Sequence, residues 1–420
     1  MQISGNSVIN TDVELPLLRR FPYPYQAMLA ICSDLDETPD WRTYWEIMRF
    51  LNTTETTSMG PGVGLEVGNS IYFDMPSGQF AYWNTDDAGR AMVRALIHSG
   101  HIDCLHSYGD LATKREHAGK ALDELARYDC RLKVWVDHGT VATNFGADIM
   151  QGHGDEPGHE AYHADLTCGY GIRYVWRGRV TSVIGQDARR SLRGLFNVRH
   201  PLTSLRTVSK EWAKGARARR GDIKYAMHGP NRLMRDTHLR DGRPVCEFIR
   251  CNPHWGGVSC GDRPDGLPQV LTKRFLDDLV ERQGTCILYT HLGKIRRREG
   301  PLEAPARQAL RLLANYQEAG KILVTTTQRM LKYCRMMREI TTTIDDENVV
   351  HVRVGTGKDI SFDRVTEMVL GGLTIYVLRP DRVRVRIDDR PVSSLCQNGP
   401  DKSGRCSVSL AWPVLDFPYQ

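Results

Sequence analysis

Two carboxylates, Asp34 and Asp36, stand two residues apart in ICSDLDET (31–38), directly after the apolar run Ala27-Met28-Leu29-Ala30. If extended backbone continues through both, their side chains leave the same face side by side. Like charges that close raise each other's pKa unless a cation or a chemical task holds them there. Alone, the stretch reads equally as an Asp-rich polar turn. A second stretch, SGHIDCLHSYGD (99–110), places His106 and Asp110 four residues apart, just past a short expected strand over 101–105. A His and a carboxylate at one strand end, with a carboxylate from another, make an oxygen-rich three-ligand metal site. Such a site leaves coordination positions open for water and substrate. A third stretch, CILYTH (286–291), is an apolar run that ends in His291.

Other residues compete for a role. His159-Glu160-Ala161-Tyr162-His163 is a literal HExxH, which on a helix puts two His on one face beside a Glu, as zinc peptidases require. The surroundings are polar, however, and no Glu follows until Glu211 to serve as a nearby third ligand. In a middle reading the start of this segment lends His159 or Glu160 to substrate binding. Loops around KYAMHGPNR (224–232) and RCNPHWGG (250–257) offer Arg232, His254 and Trp255 for gripping phosphates and stacking on sugar rings. The glycines of GPGVGLEVGN (60–69) fit neither a dinucleotide nor a P-loop fingerprint, and a mobile loop over the site mouth is expected there.

The elements that must position these groups alternate. Apolar runs at 27–32, 132–136, 172–176, 285–289 and 322–326 read as strands. Amphipathic stretches at 86–99, 158–168, 270–282 and 304–318 read as helices. That rhythm implies βαβ units and a parallel sheet or barrel. The fold class expected is α/β: a distorted (β/α)7-type TIM-like barrel over 21–338, after an N-terminal arm at 1–20. A Gly-, Pro- and Arg-rich insertion interrupts it at about 180–265. VVHVRV, LTIYVL, RVRVRI and CSVSLAW then mark an all-β module over 339–420. Barrel enzymes gather their chemistry at the strand C-termini, so Asp34, Asp36, His106, Asp110, His138 and His291 are expected at one mouth.

Composition narrows the class. The chain has 420 residues, 41% hydrophobic and 25% charged, as globular proteins do. No secretory signal and no bilayer-length apolar run is legible. Eleven scattered cysteines without a CxxC pair fit a reduced, cytoplasmic protein. Residues 189–250 hold sixteen Lys or Arg against five acids, a bias that favours an anionic ligand. Without a recognisable binding module, nucleic acid is not the expected partner.

These motifs together resemble the polysaccharide deacetylase superfamily (NodB-homology, carbohydrate esterase 4-like), in particular atypical members found in surface-polysaccharide and O-antigen biosynthesis. Cys32-Ser33-Asp34-Leu35-Asp36-Glu37-Thr38 is similar to the first motif of its F-D-x-D-x-E-T branch. Residues 100–110 align without a gap to G-H-E-I-x-x-H-[ST]-x-x-H. Residues 286–291 resemble the late strand that ends in a catalytic His, and EAGKILVTTTQRMLKYC the closing element. The resemblance implies Asp34 as general base and His291 as the acid that protonates the leaving amine. It implies Asp36, His106 and Asp110 as ligands of one divalent metal ion, zinc foremost. Asp110 stands where the family has a His, which hardens the donor set and admits manganese, iron or cobalt. His101 is a rival ligand only in another register. The family's Arg-Pro third motif is missing, and His138 and Asn144, which follow the corresponding strand, are expected to line the substrate pocket instead.

The implied activity is metal-dependent removal of an N-acyl group, acetyl or formyl, from an amino sugar in glycan assembly. A cytoplasmic, nucleotide- or lipid-diphosphate-linked sugar would suit the basic insertion. The alternatives are a zinc peptidase built on His159, Glu160 and His163, and a non-catalytic glycan-binding protein on a deacetylase scaffold.

Overall fold

A computed structural model describes residues 18–34, 37–294, 300–345, 347–355 and 370–418. They divide into two compact units, one of 24–334 with 414–418 and one of 18–23 with 335–413.

The larger unit is mixed α/β. Its first strand, β1 (Ala27–Ser33), is buried over all seven residues, as a strand covered on both faces must be. α1 (Trp41–Asn52) follows, capped by Asp40, whose carboxylate accepts the Thr43 N–H at 2.8 Å. Then come β2 (Gly68–Ile71), α2 (Asp87–His98), β3 (Ile102–His106), α3 (Arg115–Arg127) and β4 (Val134–Val136). α4 (Ala164–Tyr170) leads to β5 (Tyr174–Trp176) and β6 (Val180–Thr181), and a long exposed helix, α5 (Pro201–Arg219), comes next. β7 (Met234–His238), β8 (Pro244–Phe248) and β9 (Arg250–Cys251) precede the short α6 (Leu267–Val270) and α7 (Lys273–Arg282). β10 (Thr285–Thr290), α8 (Ala304–Glu318) and β11 (Ile322–Val324) complete the unit, and α9 (Thr327–Glu339) leads out of it.

The main sheet runs β7-β8-β5-β4-β3-β2-β1-β10, with β11 also on β1. Every pair is parallel except β7 with β8. The segment read as an insertion thus supplies two strands of the sheet, and β9 pairs with β6 beside them. Among the described residues no ladder joins β10 to β7, so the ladders describe an open strand path and not a closed barrel. The register aligns strand ends in two groups: Ser33 lies opposite Thr290, and Val136 opposite His106 and Trp176, while β2 starts beside the end of β1, Asn69 opposite Ser33. Parallel strands in such register deliver their C-terminal residues to one edge.

One local expectation fails. The helix expected over 158–168 is only Ala164–Tyr170, because 157–163 are turns and irregular backbone and His163, at φ −148°, is the residue before the first helical turn. The glycine-rich run at 60–69 leads into β2, and its last residues, Gly68 and Asn69, pair with Cys32 and Ser33 of β1.

The smaller unit holds two four-stranded sheets. One orders Leu18–Arg19, Thr374–Tyr376, Ser407–Ser409 and Cys396–Asn398; the other orders Ile340–Ile344, Val349–Val354, Arg384–Ile387 and Arg390–Pro391. Leu18 and Arg19 pair antiparallel with Ile375 and Thr374, so the chain's early residues are woven into the late β unit. Among the described residues no helix is long and apolar enough to cross a membrane.

Candidate functional site

At the C-terminal edge of the sheet, Asp34 follows β1 and is fully buried. Burial alone would push its carboxyl pKa up. The guanidinium of Arg250 outweighs this, helped by the nearby His106, and holds Asp34 below the usual carboxylate range. Arg250, on β9, donates to both carboxylate oxygens, Nη1 to Oδ2 at 2.8 Å and Nη2 to Oδ1 at 3.1 Å. This is the bidentate fork that fixes carboxylate orientation as well as charge. Arg250 is itself fully buried, its guanidinium 4.0 Å from the Trp176 ring centroid and 5.0 Å from that of Tyr289. Ser70 Oγ donates to Asp34 Oδ1 at 3.0 Å.

His106, the last residue of β3, turns Nδ1 toward Asp34 Oδ1 at 3.4 Å and toward Ser70 Oγ at 3.0 Å. Its Nε2 lies 3.4 Å from the Tyr72 hydroxyl. That hydroxyl is also 2.9 Å from Nδ1 of His138, the second residue past β4. On its far side, His138 Nε2 is 3.1 Å from Asp110 Oδ1. A carboxylate only accepts, so the proton of His138 belongs on Nε2 and that of His106 on Nδ1. The two remaining ring nitrogens, His106 Nε2 and His138 Nδ1, meet at one point, the Tyr72 oxygen.

A sharp turn returns Asp110 toward His138. Ser107, Tyr108 and Gly109 have φ of 50°, 70° and 107° in succession. A Cβ on Gly109 would lie 2.1 Å from the Asp74 carbonyl oxygen, so only glycine fits. Backbone held in such regions clusters at functional sites.

His291 follows β10, near enough for its charge to act on Asp34. Its Nδ1 lies 3.0 Å from Asp262 Oδ1 and 2.8 Å from the Asp262 carbonyl oxygen, both acceptors, so Nδ1 carries the proton. The hydrogen bond from His291 in turn lowers the Asp262 pKa. Nε2 is 3.2 Å from the Tyr289 hydroxyl.

Of the residues singled out in the sequence, the structure brings Asp34, His106, Asp110, His138 and His291 to this edge. Asp36 lies outside the described residues. Asn144 is a loop clamp: its Oδ1 accepts the His138 N–H at 2.9 Å and its Nδ2 donates to the His138 carbonyl at 2.8 Å. It positions His138 from behind rather than lining a pocket. His159 stacks on His153, and Arg232 is exposed. Trp255 stacks on His200 and meets the His254 ring at a tilt, and none of these described contacts reaches the Asp34 group. His101 precedes β3, at the opposite end of that strand from His106. Its Nδ1 is 2.9 Å from Ser99 Oγ, and burial lowers its pKa to about 4.

The HExxH residues do not converge. His163 is buried between Thr143 O (2.8 Å from Nε2) and Thr167 Oγ1 (2.8 Å from Nδ1), and burial lowers its pKa to about 4. Glu160 is exposed beside Lys114. The zinc-peptidase geometry needs a helix that these residues do not form.

Sequence reasoning passed over Arg250, Ser70, Tyr72, Asp262 and Tyr289. Arg250 had one local signal, an Arg set between Ile249 and Cys251 in the largely apolar run VCEFIRC. Among the described residues no group of three or more His, Cys, Asp or Glu stands ready to hold a metal. Comparison with protein families, with curated proteins and with solved structures returns no match to this chain.

Proposed function

We propose that the protein is a metal-dependent hydrolase that removes an N-acyl group, acetyl or formyl, from an amino sugar. The observation that carries this reading is the pair of carboxylate–imidazole units, Asp34–His106 and Asp110–His138, whose outward nitrogens meet at the Tyr72 hydroxyl. Histidines that bind metals characteristically give their other ring N–H to a carboxylate, which fixes tautomer and orientation. Imidazole and carboxylate donors suit zinc and, with a harder set, manganese, iron or cobalt.

In this reading His106 and His138 hold the cation, with Asp36 as the expected carboxylate ligand. Asp110 moves from ligand to the group that orients His138. The cation would supply polarisation of the acyl carbonyl and of the attacking water. Asp34, ionised through its pairing with Arg250, is the group that takes the water's proton. The fork costs it basicity but fixes its direction. His291, as the imidazolium with its Nδ1–H tied to Asp262, turns its Nε2–H toward the leaving nitrogen, donates that proton there and is left neutral. The sheet is read as an incomplete barrel with its seam between β9 and β10, where Asn252 Oδ1 accepts the Tyr289 N–H at 3.0 Å.

Elemental analysis with metal titration tests the assignment. Wild type should hold one divalent ion per chain, His106→Ala and His138→Ala should lose it, and Asp110→Asn should bind it more weakly by about 10- to 100-fold. Equal metal content in all four proteins would end this reading.

A further inference from the structure

α5 is inside out. Its buried face presents Ser204, Thr207, Glu211 and Gly215, while Leu202, Leu205 and Trp212 are 82%, 57% and 62% exposed. A helix that meets water on its outer face shows the reverse pattern. The inward polar face has a structural reason. Glu211 accepts from Thr181 Oγ1 at 2.8 Å and from the Ser182 N–H at 3.2 Å, pinning the helix to the end of β6, and from Lys214 Nζ at 2.7 Å within the helix. No such contact accounts for the outward apolar side chains. Val198 just before the helix and Ile223 just after it are likewise exposed.

At about 100° per residue, Leu202, Leu205 and Trp212 fall in one sector about 80° wide. Arg206, Lys210 and Arg217 fall in the adjoining sector, all exposed. Glu211, the helix's only acid, is buried, so its outer surface carries apolar groups, positive charge and the small hydroxyls of Thr203 and Ser209, and no negative charge. Each candidate occupant must satisfy both features. A second copy of the chain, face to face, would cover the leucines but set Arg206 and Lys210 against their own kind. A phosphate backbone would answer the charge but give nothing to Leu202 or Val198. A surface of anionic lipid answers both, with the apolar sector and Trp at the acyl boundary and the cations among headgroups.

We propose that α5 is an interfacial helix that docks the protein reversibly on an anionic membrane surface. The proposal stands on this helix alone and does not depend on the hydrolase reading.

Co-sedimentation with vesicles of phosphatidylcholine, with and without phosphatidylglycerol, tests it. Wild type should pellet with the anionic vesicles and not with neutral ones, and high salt should release it. Leu202→Glu with Trp212→Glu, and separately Arg206→Ser with Lys210→Ser, should each weaken binding by at least about tenfold. All four positions are exposed, so unchanged thermal unfolding will show that the variants remain folded. Absence of binding to anionic vesicles, or binding that both double variants retain, overturns the proposal. So does a concentration-dependent dimer that forms in place of vesicle binding and is abolished by Leu202→Glu with Trp212→Glu.

Discussion

Asp34 and Arg250 form a buried ion pair in which neither member has water to fall back on. Replacing Arg250 by Met should cost about 3–5 kcal/mol of stability, read as a lower urea midpoint, because the carboxylate is left buried and uncompensated. The same change should raise the Asp34 pKa. If Asp34 is the base, the acid limb of the kcat/KM profile must move to higher pH. A profile that does not move assigns Arg250 a structural role only. Asp34→Asn should lower turnover by about 10²- to 10⁴-fold. Asp103 gives a separate pH dependence. Burial raises its pKa to about 6, only partly offset by the Gln328 N–H at 2.7 Å. A raised carboxyl pKa means the folded protein binds the extra proton. Its contribution is therefore full below about pH 4 and is lost as pH rises through about 6, worth about 3 kcal/mol in all. Asp103→Asn should flatten the thermal midpoint across that window while leaving metal content unchanged.

At the scale of elements, the turn after β3 decides where Asp110 goes. Gly109→Ala should cost at least about 2 kcal/mol and weaken metal binding, since a Cβ there meets the Asp74 carbonyl at a left-handed φ. Unchanged metal affinity would separate this turn from the site. Much of this level was legible in the sequence. The strands at 27–32, 285–289 and 322–326 and the helices at 86–99 and 304–318 fall within a few residues of their observed ends, because burial patterns and capping residues are local. His106 and His291 were legible for the same reason, as polar residues closing apolar strands. Arg250 was not, because it reaches Asp34 across 216 positions and its approach depends on β9 lying beside β6. The HExxH failed as a guide because spacing has meaning only on a helix, and 157–163 are turns and irregular backbone. Glu160→Gln, an exposed change, should therefore leave both activity and unfolding unaltered.

At the scale of the molecule, the basic excess of 189–250 divides into two populations. Arg235 joins Arg177 and Arg179 on the buried Glu247, and Arg250 holds Asp34, so these charges serve the interior. Arg199, Arg206, Lys210, Arg217 and Arg219 face outward on and beside α5. Composition alone could not separate them, since the division depends on which side of each element meets the sheet. A hydrolase of a lipid-linked amino sugar would have use for both populations. The most direct measurement is acyl release: acetate or formate freed from a panel of N-acyl amino sugars by metal-loaded wild type, Asp34→Asn and Glu160→Gln. The account predicts release by wild type and Glu160→Gln, abolished by chelation, with Asp34→Asn reduced to near background. Release that survives Asp34→Asn undiminished, or none from any sugar by the metal-loaded protein, would contradict it.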